Sequence, residues 1–179
     1  MGIGNLIMSD DGAGVKVIQL LAENYRFPPD VTVLDGGTLG LDLLPRLEGI
    51  DRLLIVDAVE TGNAPGSLIR LSGEEIPIIM ETKLSPHQMG LKDLIAVSIL
   101  QGVKPPEMVL LGVQPECIEL GLDLSPSVEA QLDELVQRVL QELGTWGIRV
   151  EPVDRITAAR LNWPDREGIL IISPEVIVP

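Results

Sequence analysis

The sequence predicts a three-layer α/β fold, with a mainly parallel twisted sheet flanked by helices. Three observations carry that expectation. Residues 53–56 (Leu-Leu-Ile-Val) and 108–111 (Met-Val-Leu-Leu) are apolar without alternation, as strands buried on both faces are. Stretches of helical periodicity lie between the strand-like runs, and such alternation is how parallel sheets are connected. The chain of 179 residues is 45% hydrophobic but only 2% aromatic, so its core is built from aliphatic side chains, and the length suits one domain.

Taken in order, the chain opens on Met1-Gly-Ile-Gly-Asn5, a glycine-rich turn that runs into Ser9-Asp10-Asp11. Val15, Ile18, Leu21, Ala22 and Tyr25 then recur at helical spacing. Ser9 is placed to cap this helix, with Asp10 and Asp11 near its positive end, and Phe27-Pro28-Pro29 stops it. Residues 31–34 (Val-Thr-Val-Leu) form a β-branched run broken by Asp35-Gly-Gly-Thr38. Thr38 can cap a second helix carrying Leu41, Leu44 and Leu47, with Gly49 after its end and Pro45 limiting its length. Asp57 ends the buried run 53–56. Residues 67–71 read as an edge or hairpin strand, whereas 76–82 fit helix and strand equally.

Ser85-Pro86-His87-Gln88 precedes a helix carrying Leu91, Leu94, Ile95 and Ser98, with Gly102 as its stop. Ser125-Pro126 begins the clearest helix, as an N-cap followed by proline at the first helical position. Val128, Leu132, Leu135, Val136, Val139, Leu140 and Leu143 give that helix one apolar stripe, closed by Gly144. Residues 148–150, 169–172 and 176–178 are short β-prone runs. Residues 1–150 therefore read as a single α/β domain, and 151–179 as a tail with no assignable role.

The formal net charge is −14 with no basic block, which argues against nucleic-acid binding. Cys117 is the only cysteine, so neither an internal disulfide nor an all-cysteine metal site can form, as expected for a reducing cytoplasm. No run approaches a membrane span, and the first residues lack the pattern of a signal peptide. A cytoplasmic protein without membrane or organic cofactor is the expectation.

Several chemistries fail on the residues. The dinucleotide pattern Gly-x-Gly-x-x-Gly has Ile7 where its third glycine belongs. No Gly-Lys-Ser/Thr phosphate loop and no Gly-x-Ser-x-Gly elbow occurs. A single histidine, His87, rules out a His-Glu-x-x-His zinc site. His87 stands in a loop or at a helix start, where a surface or capping role fits as well as a ligand role. Asp57 at a strand end and Asp11 at a helix start are open to the same two readings. Two carboxylates and an imidazole from separate loops make a set able to bind nickel or zinc while leaving positions for substrate.

Seven segments sharpen this. Gly2-Ile-Gly-Asn5 with Asp10-Asp-Gly-Ala-Gly14, Asp35-Gly-Gly-Thr38, Leu54-Ile-Val-Asp-Ala58, Ala64-Pro-Gly66, Ser85-Pro-His-Gln88 and Leu111-Gly-Val-Gln-Pro-Glu116 fall in the order and spacing of one family. From Gly2 to about Gly147 the chain resembles the hydrogenase maturation endopeptidases, and Ser-Pro-His-Gln followed by Gly90-Leu91 looks most like the branch serving uptake-type hydrogenases. The resemblance implies an endopeptidase that removes the C-terminal extension of a nickel–iron hydrogenase large-subunit precursor after nickel insertion. Asp11, Asp57 and His87 would then be the metal-binding and catalytic trio, the nickel arriving with the substrate and the enzyme acting as a monomer. The alternative is a non-catalytic nickel-precursor binding or chaperone module on the same fold. The family's first hydrophobic strand, ahead of Gly-x-Gly-Asn, is missing or truncated here, and Asp11 is the shorter of the two acids the family uses.

Overall fold

The computed structural model describes residues 1–82 and 88–153. Two strands form the middle of the sheet, β4 (Arg52–Ala58) and β6 (Glu107–Val113). They run parallel, from Arg52 opposite Glu107 to Ala58 opposite Val113. Both are buried beyond their first residue, which is why neither shows a polar face in the sequence. Successive side chains point to opposite faces. Leu53, Ile55, Met108 and Leu110 pack on one side with Leu43, Ile76, Leu91 and Leu94. Leu54, Val56, Val109 and Leu111 pack on the other with Val17, Leu21, Leu135 and Val139. Two aliphatic cores thus sandwich one sheet, and the expected three layers are present.

The helices follow from this. α1 (Ala13–Asn24) and α5 (Leu132–Thr145) cover one face. α2 (Glu75–Thr82) and α3 (Gln88–Gln101) belong to the other, where Ile76 and Leu91 reach the core. The strand order is β3-β1-β4-β6-β5, with β1 at Gly2–Ile3, β3 at Asp35–Gly37 and β5 at Leu68–Ser72. All neighbours are parallel except β5, which pairs antiparallel with β6 at the edge. Residues 76–82, which fitted two templates, belong to α2.

The chain's first strand lies inside the sheet. β1 has two residues, set between β3 and β4. Met1 extends the pairing: its amine donates to Leu54 O at 2.8 Å and its carbonyl accepts from Val56 N at 2.9 Å. A cleft of about 1080 Å³ has Met1, Val31, Val33, Leu53 and Leu54 among its walls.

Several local expectations are corrected. Ser9 caps no helix: a 3-10 turn, Ser9–Gly12, precedes α1, and Gly12 is the N-cap residue. Residues 31–34 are not a strand, and β3 begins after them at Asp35. The second helix is a 3-10 segment, Gly40–Arg46, without a Thr38 cap, since Pro45 removes a donor that a longer α-helix needs. Ser125 does cap a helix, but that helix stops after one turn as α4 (Pro126–Glu129), and α5 starts separately. The apolar stripe continues across the break because both pieces face the same core. α5 closes at Gly147 (φ 78) rather than Gly144. Residues 148–150 are not a strand; β7 (Glu151–Pro152) pairs instead with β2 (Tyr25–Arg26). The runs 169–172 and 176–178 lie outside the described residues.

At Gly14, α1 meets the sheet with no side chain between them. A Cβ on Gly14 would sit 2.3 Å from Val56 O and 2.4 Å from Ile3 O, and those are backbone atoms of two strands. Gly14→Ala must therefore push α1 off β1 and β4. The expected loss is about 3 kcal/mol of unfolding free energy, checked by urea denaturation; a loss under about 1 kcal/mol would mean the helix moves away at little cost.

Candidate active site

The acids of interest gather where the parallel strands end, the edge at which open α/β sheets place their sites. Leaving β1, the chain turns at Gly4, whose φ is 128° and whose added Cβ would lie 1.7 Å from Asp11 O. Only glycine allows the outgoing strand and the returning 3-10 turn to approach this closely. The turn then sets Asp10 and Asp11 side by side, both buried, at 0% and 2% exposure.

Their side chains go to different partners. Asp10 Oδ2 accepts from Glu116 N (2.8 Å), Cys117 N (3.1 Å) and Ser125 Oγ (2.8 Å), and its Oδ1 accepts from Ser125 N (2.6 Å). Asp11 Oδ2 accepts from Asn5 N at 2.7 Å. Ser9, with φ 46, adds bonds to the same distant loop: its hydroxyl donates to Cys117 O and accepts from Glu119 N, both at 3.1 Å. A second brace joins the loops after β4 and β6. Buried Gln114 accepts from Thr61 N (2.7 Å) and Thr61 Oγ1 (2.9 Å) and donates to Glu60 Oε1 (2.9 Å).

Asp57 is the penultimate residue of β4 and is 3% exposed. Burial pushes its carboxyl well above the usual carboxylate range, the charge of Asp11 pushes it further, and a hydrogen bond from the Ala58 backbone pulls the other way. Two carboxylates withdrawn from water and repelling each other favour a proton or a cation between them. Such a pair can work as general base and acid, or supply two oxygen ligands to a metal.

Of the expected trio, the structure brings Asp11 and Asp57 into electrostatic contact, and His87 lies outside the described residues, just ahead of α3 in the sequence. Among the described residues no three of His, Cys, Asp and Glu gather closely enough to hold a metal. Asp35 opens β3, and its Oδ1 accepts from Gly37 N at 3.0 Å. Cys117 is half-buried, with Sγ 3.8 Å from Ser9 Oγ. Sequence reasoning grouped Asp10 with Asp11 as helix-end acids and missed its different role. The adjacent pair was visible, but the partners of Asp10 stand 106 to 115 positions away.

Paired buried acids at the strand ends of an α/β fold can act as base and acid in hydrolysis, and comparison identifies the family. The profile of the hydrogenase maturation protease family (HycI) matches residues 15–142. The hydrogenase 2 maturation protease of Escherichia coli K12 is 38% identical over 157 residues, covering 87% of this chain and 96% of that protein. The hydrogenase expression/formation protein HupD of Rhodobacter capsulatus is 41% identical over 152 residues, covering 84% and 72%. Among solved structures, the hydrogenase maturating endopeptidase HybD from E. coli superposes with a TM-score of 0.80 at 38% identity, covering 84% of this chain and 94% of that one. The [NiFe] hydrogenase maturation protease HybD from Thermococcus kodakarensis gives 0.65 at 32% identity, covering 79% and 95%. The chain belongs to the hydrogenase maturation proteases and is an endopeptidase. Among the described residues no helix is long and apolar enough to cross a membrane.

The raised Asp57 carboxyl has a defined sign in stability. Its folded-state pKa exceeds the unfolded value of 3.8, so its favourable contribution is complete below that value and is lost as pH rises through the folded pKa. Asp57→Asn removes this loss. In metal-free protein the variant should melt higher than wild type at pH 7, each kcal/mol gained being about 2–4 °C for a chain of this size. Thermal melts should show the advantage shrinking toward pH 4; an unchanged or lower melting temperature at pH 7 would contradict the repulsion between the acids.

Proposed function

We propose that this protease removes the C-terminal extension of a nickel–iron hydrogenase large-subunit precursor once nickel is in place, and that the nickel in the substrate is what it reads. Asp11 and Asp57 supply oxygen ligands and His87 an imidazole, with the metal shared between enzyme and precursor. The observation that carries this is the buried, mutually repelling pair Asp11 and Asp57, an arrangement that a cation stabilises and a metal-free peptide does not. Bridging through the metal holds the scissile bond at the site, and such positioning can account for much of the barrier reduction. The metal polarises the carbonyl or a water, and a carboxylate beside it accepts the proton. Asp11 reaches one methylene less far than a glutamate would, so the metal must approach the Ser9–Gly12 turn closely.

Purified protein should shorten nickel-loaded precursor and leave nickel-free precursor intact, as read by mass spectrometry. Equal cutting of both would contradict nickel recognition. Stable binding of the loaded precursor with no mass change would favour a non-catalytic binding role instead. His87→Ala, Asp11→Ala and Asp57→Ala should each slow processing by more than about 100-fold, since removing even an outer partner of a metal site costs 10–100-fold. Retained processing in any of them removes that residue from the trio.

A further inference from the structure

We propose that Asp10 is the positioning residue of this site: it fixes the Ser9–Gly12 turn to the loop after β6 and so sets where Asp11 stands relative to Asp57. The proposal rests on the functional reading above and adds a residue which that reading does not use.

Asp10 is fully buried, and both its oxygens are occupied by four donors from one distant segment. Two of those donors belong to Ser125, the N-cap of α4, whose hydroxyl also meets Val128 N at 3.4 Å and Ser127 Oγ at 3.0 Å. Ser127 in turn donates to Glu116 Oε2 at 2.6 Å. The anchor is therefore itself tied to the start of a helix. In a 3-10 turn, consecutive side chains leave the axis about 120° apart. While Asp10 is bonded to the 116–125 loop, Asp11 accepts from Asn5 N and lies near enough to Asp57 for its charge to act there. Rotating or unwinding this turn would move Asp11. Three of the four donors are backbone N–H groups, so an altered Asp10 leaves several of them unsatisfied, and the turn must shift to regain partners. An aspartate does this and an asparagine does not. The amide offers one acceptor oxygen to four donors, and its NH₂ faces N–H groups.

The step affected is placement of a ligand. A displacement of roughly 1 Å at a reacting centre can cost about 100-fold in rate, and the proposal places the effect there rather than in precursor binding. The test uses the full chain and nickel-loaded precursor. Asp10→Asn should lower kcat by about tenfold or more and leave KM within about twofold. Ser125→Ala removes one of the four donors and should lower kcat less. Arg70→Ala serves as the control for lost stability: it breaks the paired Arg70–Glu142 contacts at 2.8 Å, on β5 and α5, away from the turn. It should lower the melting temperature and keep wild-type kcat. The proposal is overturned if Asp10→Asn keeps its kcat within about twofold, or if Arg70→Ala at a comparable loss of melting temperature loses kcat to the same degree. If Asp10→Asn does not fold, the comparison of Ser125→Ala with Arg70→Ala decides by the same criterion. Wild-type discrimination between loaded and nickel-free precursor tests the functional reading separately, so failure of one is not failure of the other.

Discussion

Asp11 and Asp57 are held out of water within reach of each other's charge. Neither acid alone requires explanation, because a buried carboxyl can take up a proton. Burial and the nearby charge of Asp11 hold the Asp57 carboxyl above its ordinary range, and the fold must keep the two acids close. The aliphatic sandwich around β4 and β6 provides the rigid part: Asp57 sits one residue before the end of a strand that is buried on both faces. The other acid comes from a turn, and a turn has no such core of its own. It is held by close glycine contacts at Gly4 and Gly14 and by the bonds of Ser9 and Asp10 to the 116–125 loop.

This division explains where the structure spends its polar groups. The sheet needs few, because its strands satisfy one another. The loops at its C-terminal edge are crossed by two braces, Asp10 to the loop after β6 and Gln114 to the loop after β4. Both tie segments far apart in sequence and both are buried. A site assembled from loops must be stiffened in this way if its ligands are to meet a metal in one geometry. In the proposed reading, a cation supplied by the substrate would lower the repulsion between these acids and so favour the loaded precursor.

Much of this was readable in the chain and some was not, for reasons that differ by residue. The runs 53–56 and 108–111 announced themselves because burial on both faces leaves no polar alternation. Leu91, Leu94 and Ile95 gave α3 by periodicity, and all three are buried. The break between α4 and α5 was hidden because one apolar stripe spans both. Residues 31–34 have strand composition, yet only Leu34 contributes to the pairing, through its carbonyl to Gly2 N at 3.0 Å. Asp57 and Asp11 were reached through motif spacing. Asp10 was not, since its role lies in contacts more than a hundred positions away. Ser9 looked like a cap because a serine before acids and a helix usually is one; here its hydroxyl is bound to residues 117 and 119.

The central claim is that the two acids become ligands of a metal carried by another protein. Nickel-edge X-ray absorption on the nickel-loaded precursor, alone and bound to this protease, tests it most directly. The account predicts that binding adds oxygen and imidazole-nitrogen scatterers to the nickel, and that the oxygen contribution is lost when Asp57→Ala protease is used. A nickel spectrum unchanged by binding of the wild-type protein would contradict it.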